Sequence, residues 1–160
     1  MSQLPDGWVV KVCGPVILDA PSEWRVLPHP PIDHPPALLI AGETFHGFAP
    51  TVTVSLESIP LGLSLPEWHT SSIEELKQFF VGLRVIDLFA DEVDGVPSLL
   101  RVCAYAVDDL PLTLMQWLCL RPDGGVVISA TCHTANYLDI AETFVRIARS
   151  CVVAQGGFDD

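Results

Sequence analysis

The sequence predicts an α+β domain built on a central, mainly antiparallel sheet of six to seven strands flanked by helices. Three observations carry this reading. Four strand-like runs in the C-terminal half are separated by short turns rich in Asp and Gly, which join antiparallel neighbours. Two of those runs are apolar on both faces, so both faces need cover. Two further segments repeat their apolar residues every three to four positions, the period of a helix that buries one side.

The elements follow in order. Trp8 to Cys13 and Val16 to Ala20 read as short strands punctuated by Gly14-Pro15, because proline supplies no ladder donor and is confined to strand ends and edges. Pro21-Ser22-Glu23 is a turn, and Trp24 to Leu27 resumes an extended path. Residues 28 to 36, with Pro28, Pro30, Pro31, Pro35 and Pro36, cannot form a helix and read as a polyproline-like surface loop. Ala37 to Ala41 is a buried strand, and 42 to 50 a loop. Thr51 to Glu57 alternates β-branched and polar residues, the pattern of a half-buried strand. Ser64-Leu65-Pro66-Glu67 and Ser72-Ile73-Glu74-Glu75 both fit a capping box. They predict a short turn at 66 to 70 and a helix over 72 to 81, with Gly82 as its C-terminal cap. Leu83 to Asp91, Val96 to Val107, Leu112 to Arg121 and Val126 to His133 form a four-stranded meander, turned at Asp94-Gly95, Asp108-Asp109 and Asp123-Gly124-Gly125. Residues 135 to 150 close the chain as an amphipathic helix, its acids early and its arginines late, as the helix dipole favours. A single domain over 1–160 is expected, with its ordered core about 8–153.

In the third meander strand Leu112, Leu114, Leu118 and Leu120 share a face with Gln116, and Met115, Trp117 and Cys119 share the other. The strand before it opposes Leu100, Val102, Ala104 and Ala106 to Leu99, Arg101, Cys103 and Tyr105. About six strands at ~4.8 Å span roughly 29 Å, whereas one helix is only ~10 Å wide. Two helices therefore leave apolar area for the N-terminal segment, a second copy, a partner or a ligand to cover.

Composition narrows the function. With 160 residues, 49% hydrophobic and 18% charged, and a mean hydropathy of +0.40, the chain can bury a full core without disulfide or metal. Eight Lys+Arg against 20 Asp+Glu give a net charge of -12, and Lys11 and Lys77 are its only lysines. No nucleic-acid partner is expected, because phosphate binding needs a basic stripe; basic partners or cations are favoured. The opening Met1-Ser2-Gln3-Leu4-Pro5-Asp6-Gly7-Trp8 fits no secretory signal, and no run is long enough to span a bilayer, so no membrane insertion and a cytoplasmic location are expected. The five cysteines, Cys13, Cys103, Cys119, Cys132 and Cys151, are odd in number and widely spaced, and read as free thiols.

No catalytic motif stands out. Cys132 and His133 are adjacent on a strand and face opposite ways, so they cannot share a hydrogen bond. Cys132 with His69 is the longer-range pairing that an uncharacterised hydrolase would need. His29, Asp33 and His34 in the proline loop match no structural zinc spacing, and Asp91, Glu92 and Asp94 lack the later ligands of a calcium loop, so a solvated hairpin turn is expected there. Phosphate-cradling glycines, a Gly-x-Ser-x-Gly elbow and His-Glu-x-x-His are missing from the sequence. No catalytic residue, metal or cofactor is assigned.

The order of the pieces resembles a known pattern: an early strand ending in Pro21-Ser22-Glu23-Trp24, the β run Thr51 to Glu57, a helix, a meander with the Asp94-Gly95 hairpin and Gln116, and a last helix ending in Ser150. It looks like the PsbP-like superfamily, and within it the actinobacterial LpqN-type lipoproteins and the DUF1795 proteins, over about residues 16 to 153. The resemblance implies an α/β/α sandwich around an antiparallel sheet. It also implies non-enzymatic roles: photosystem II assembly, binding of a Ran-type GTPase, and cytoplasmic chaperoning of type VI secretion effectors. Cys13 follows Val10-Lys11-Val12, which no lipobox fits, so a cytoplasmic adaptor is expected rather than an anchored envelope protein.

The function expected is therefore a non-catalytic cytoplasmic binding protein, an adaptor or chaperone that presents an apolar sheet face to a protein partner or to a second copy. Trp68, Arg101, Tyr105, Met115 and Trp117 are its candidate contacts, since aromatics, Met and Arg anchor interfaces. The alternative for each is ordinary core packing. A carrier of a small apolar ligand in a cleft between sheet and helix is the second reading.

Overall fold

The structure is a computed structural model and describes residues 3–28, 31–33, 35–156 and 158. Among the described residues ten strands and two helices follow in the order β1 (Trp8–Cys13), β2 (Val16–Pro21), β3 (Arg25–Val26), β4 (Leu38–Ala41), β5 (Thr51–Glu57), α1 (Leu65–Phe79), β6 (Arg84–Val93), β7 (Val96–Val107), β8 (Leu110–Arg121), β9 (Gly124–His133), α2 (Tyr137–Ser150) and β10 (Val152–Val153). A single 3-10 turn, Thr134–Asn136, leads into α2. Seven strands form one sheet in the order β3-β4-β5-β9-β8-β7-β6, with every pairing antiparallel. The chain is thus α+β, as the strand and turn pattern predicts.

The first two strands do not join this sheet. They pair with each other and with β10 in a separate three-stranded sheet, β1-β2-β10. The reason lies in the faces of β2: Val16, Leu18 and Ala20 are fully buried, whereas Ile17 is exposed. This strand lays one apolar row onto the large sheet beside α2. There it meets Val52, Val54, Leu100, Val102, Met115, Trp117, Ile128 and Phe144 in the principal core. One face is therefore covered by α2 together with a β layer, not by a helix alone. The area left over by two helices is filled here by the chain's own N-terminal segment.

The opposite face carries α1. Ser64 accepts from Glu67 N at 3.3 Å, and the Glu67 carboxylate accepts from Ser64 N at 3.3 Å, closing a capping box. The expected break between 70 and 72 is absent. Ser72 lies inside one helix, its hydroxyl donating to His69 O at 3.2 Å, so the second capping signal is not used. The helix stops at Phe79, short of Gly82, whose φ of 80° serves the turn into β6.

Two hairpins use positive-φ pairs: Asp94 and Gly95 at 52° and 71°, and Asp108 and Asp109 at 49° and 66°. The third turn differs from expectation. Arg121 pairs with Gly124, so its two central residues are Pro122 and Asp123. Gly124 and Gly125 belong to β9. The described part of the proline-rich stretch carries no helix or strand, and Pro31, Ile32, Asp33 and Pro35 are exposed. His29, Pro30 and His34 lie outside the described residues. Among the described residues no helix is long and apolar enough to cross a membrane.

A cleft between the first helix and the sheet, and a candidate functional site

One stripe of α1 faces the sheet across a cleft. Trp68, Ser71, Ser72, Glu75, Leu76 and Phe79 recur at three- and four-residue steps, which puts them on one side of the helix. The floor is Arg101 of β7, Gln116 and Leu118 of β8, and Val127 of β9, and the segment Glu57 to Leu63 makes the end wall. The cleft has a volume of about 470 Å³. Gly125 lets the helix come this close: a Cβ there would stand 2.6 Å from Trp68 Cη2 and 2.7 Å from Ile59 Cγ1.

Three polar side chains cross the floor in register. Arg101 pairs with Gln116, and Gln116 with Ser129, as cross-strand neighbours. Arg101 Nε donates to Gln116 Oε1 at 2.8 Å, Nη2 donates to the same oxygen, and Gln116 Nε2 donates to Ser129 Oγ at 2.9 Å. From above, Nη1 donates to Ser72 Oγ at 2.9 Å, to His69 O at 3.3 Å and to His69 Nδ1 at 3.1 Å. An arginine has no acceptor, so His69 Nδ1 is the lone-pair nitrogen and the ring is neutral.

Arg101 is 1% exposed and has no carboxylate within ion-pair distance among the described residues. All its hydrogen-bond partners are neutral. Burial lowers its pKa, offset in part by the charge of Glu57. Glu57 and Glu75 stand at the cleft mouth, exposed to solvent. Desolvation and the like charge of Glu75 push the Glu57 pKa up, while Arg101 draws it down. The cleft therefore has apolar walls, a cation at its floor and two carboxylates at its rim.

The five predicted contact residues do not form one patch. Trp68, Arg101 and Tyr105 belong to the α1 face, where Tyr105 lies against Phe80 with ring centroids 4.4 Å apart. Met115 and Trp117 belong to the opposite face, inside the core made with α2 and β2. Trp68, Arg101, Met115 and Trp117 are all buried and Tyr105 is half-buried, so the expectation that they form an open apolar face is corrected. The two strands that carry four of them, β7 and β8, are covered on both sides by the chain itself. Arg101 and Trp68 keep a role as floor and wall of the cleft.

What the sequence reading passes over is the edge of the sheet. Val85, Ile86, Leu88 and Phe89 of β6 are exposed by 37 to 62%, and Phe79 and Val81 just before them by 84 and 88%. The outer edge of β6 pairs with no strand among the described residues. Its apolar run is visible in the sequence; that it lies at an edge depends on the strand order.

The hydrolase pairing is taken apart by the sheet. Cys132 is fully buried on the α2 face, where desolvation raises its pKa to about 11, whereas His69 lies on α1 across the sheet. His133 turns away from Cys132 and accepts from Ala135 N through Nδ1 at 3.0 Å. The Asp91 carboxylate is not the solvated turn acid expected from sequence, since its side chain is only 9% exposed and is held by Trp117 and Arg149.

No protein-family model matches the sequence, and neither does any curated protein. Solved structures do share its architecture. The solution structure of cyanobacterial PsbP (CyanoP) from Synechocystis sp. PCC 6803 superposes with a TM-score of 0.66 at 11% identity, over 91% of each chain. LpqN, involved in cell envelope biogenesis of Mycobacterium tuberculosis, gives 0.67 at 17% identity over 87% of this chain and 83% of that one. The Ran-binding protein Mog1p of Saccharomyces cerevisiae gives 0.63 at 14% identity over 98% and 99%. Identities this low speak to architecture alone, and at that level the resemblance read from the order of the elements holds: the chain has the PsbP-like fold.

Proposed function

We propose that this chain is a non-catalytic binding protein, an adaptor or chaperone of the cytoplasm, and that its contact surface is the β6 edge rather than a sheet face. The observation that carries the reading is a ten-residue edge strand whose outer backbone edge pairs with no strand among the described residues and whose apolar side chains are exposed on both of its faces. Such an edge accepts an added strand, its backbone groups giving affinity and its side chains selecting the sequence. The occupant is an extended apolar segment of another protein, flanked by basic residues, since Asp87 and Glu92 are exposed along the strand and the whole chain is acidic. Mog1p, with the same fold, is a Ran-binding protein, which supports a binding role without naming this chain's partner.

The test compares the wild type with Ile86→Lys and Leu88→Pro as baits in native lysate, with circular dichroism to check that each variant folds. A protein retained by the wild type and lost with both folded variants is the expected result. Partners retained equally by all three baits would move the contact surface elsewhere. A strict monomer that retains nothing would count against the reading as a whole.

A second reading, a carrier of a small ligand, is favoured by the cleft under α1. Its volume of about 470 Å³ and its mainly apolar walls with a few convergent polar groups are those of small-molecule sites.

A further inference from the structure

The charges of the cleft define the ligand it can hold. A guanidinium taken out of water without a counter-ion is costly, and proteins keep one where its charge is used. Arg101 has five N–H hydrogens. Nε and one Nη2 hydrogen go to Gln116, and Nη1 is taken by Ser72 and His69. The second Nη2 hydrogen has no acceptor among the described residues. This donor belongs to a side chain that lines the cleft and is almost fully buried, so a carboxylate brought to the floor would supply both the missing acceptor and the missing charge.

A plain anion would have to pass Glu57 and Glu75 at the mouth, and a plain cation would meet Arg101 at the floor. Only a ligand carrying both charges answers both ends. Between them lie Trp68, Leu118, Val127, Ile59 and Leu63, which offer an apolar surface. We infer that the cleft between α1 and the sheet binds a zwitterion with an apolar side chain, of the α-amino-acid class, its carboxylate on Arg101 and its ammonium group toward Glu57 and Glu75. This inference rests on the carrier reading and specifies the ligand for it.

Calorimetric titration of the full chain with three matched probes tests it: L-phenylalanine, 3-phenylpropanoate, which lacks the amine, and 2-phenylethylamine, which lacks the carboxylate. L-Phenylalanine is expected to bind at least tenfold more tightly than either. Glu75→Gln, a change at an exposed helix position that leaves the core intact, is expected to weaken L-phenylalanine several-fold and to leave 3-phenylpropanoate unchanged or tighter. Arg101→Gln is expected to abolish both, and the Glu75→Gln comparison stands if the arginine variant does not fold. If 3-phenylpropanoate or 2-phenylethylamine binds as tightly as the amino acid, the zwitterion assignment falls and the carrier reading survives. If none of the three binds at millimolar concentration, both fall.

Discussion

Trp117 Nε1 donates to Asp91 Oδ2 at 2.9 Å, joining a fully buried indole of β8 to a carboxylate of β6, two strands away. Arg149 of α2 donates to the other oxygen of Asp91 at 3.0 Å through Nη2, so one carboxylate ties the helix to the sheet. Trp117→Phe keeps an aromatic ring but removes the donor and some volume. A hydrogen bond to a charged group contributes about 1.5–3 kcal/mol, and the expected loss is about 2–3 kcal/mol in urea denaturation at pH 7. A loss under about 0.5 kcal/mol would show that the tie is ornamental.

The same carboxylate makes the fold sensitive to acid. Desolvation pushes its pKa up, but bonds from Trp117, from Glu92 N and from Arg149 outweigh this and hold it below the usual value of 3.8. Its contribution to stability is therefore full above the unfolded pKa and is lost as pH falls through the lowered one. Asp91→Asn should be less stable at neutral pH and should lose less of its stability than the wild type below about pH 4, which denaturation midpoints across pH 2–7 would reveal.

His69 gives a second, milder dependence. Burial, Arg101 and Lys77 lower its pKa below the ordinary 6.5. Protonation would also replace the lone pair on Nδ1 by a donor facing the guanidinium. The unfolded chain takes up this proton first, so stability from this site is complete above pH 6.5 and declines as pH falls toward the folded value. His69→Gln, which keeps an acceptor, should remove that decline. Equal slopes for the two proteins between pH 8 and 5 would discard the assignment.

Two glycines hold tryptophans by having no side chain. A Cβ on Gly42 would stand 2.7 Å from Trp24 Cε2, and one on Gly125 would stand 2.6 Å from Trp68 Cη2. Gly42→Ala and Gly125→Ala should each destabilise by about 1–3 kcal/mol through overpacking. Only Gly125→Ala should also weaken L-phenylalanine binding, because only it displaces a wall of the cleft.

Thiol chemistry should report burial. Cys103, Cys119, Cys132 and Cys151 are buried with raised pKa values, about 12 for Cys119 and Cys151, while Cys13 is half-buried. A thiol-specific disulfide reagent at pH 8 should modify at most one cysteine per native chain and all five after unfolding. Fast reaction of two or more native thiols would contradict the packing.

The parts of this architecture written in local pattern are legible in the sequence. Alternation marks Thr51–Glu57, a three-to-four-residue apolar period marks the closing helix, and Asp94-Gly95 marks its hairpin, because each depends on neighbours in the chain. Strand order is not local. That Val16, Leu18 and Ala20 cover the large sheet from a separate one, and that β6 is left at an edge, depends on pairings between distant segments. The site was half legible. Arg101 and Gln116 stand out as polar residues on apolar strands, but their alignment through Ser129 depends on the register of three strands. Trp117 could not be told from an interface anchor by composition, since a large aromatic on an apolar strand reads alike in both roles.

Strand β10 is two residues long, Val152 and Val153, and its partners are Ile17 and Val16 near the other end of the chain. Beside it Asp19 N donates to Ser150 Oγ at 2.8 Å. During synthesis, then, β1 and β2 wait with an open flank until Val152 and Val153 follow them. The meander can assemble from its own hairpins in the meantime, and the N-terminal hairpin docks late. A nascent chain stalled before residue 152 should be a good client for chaperones, and the arrival of Val152 and Val153 should be the event that closes this flank.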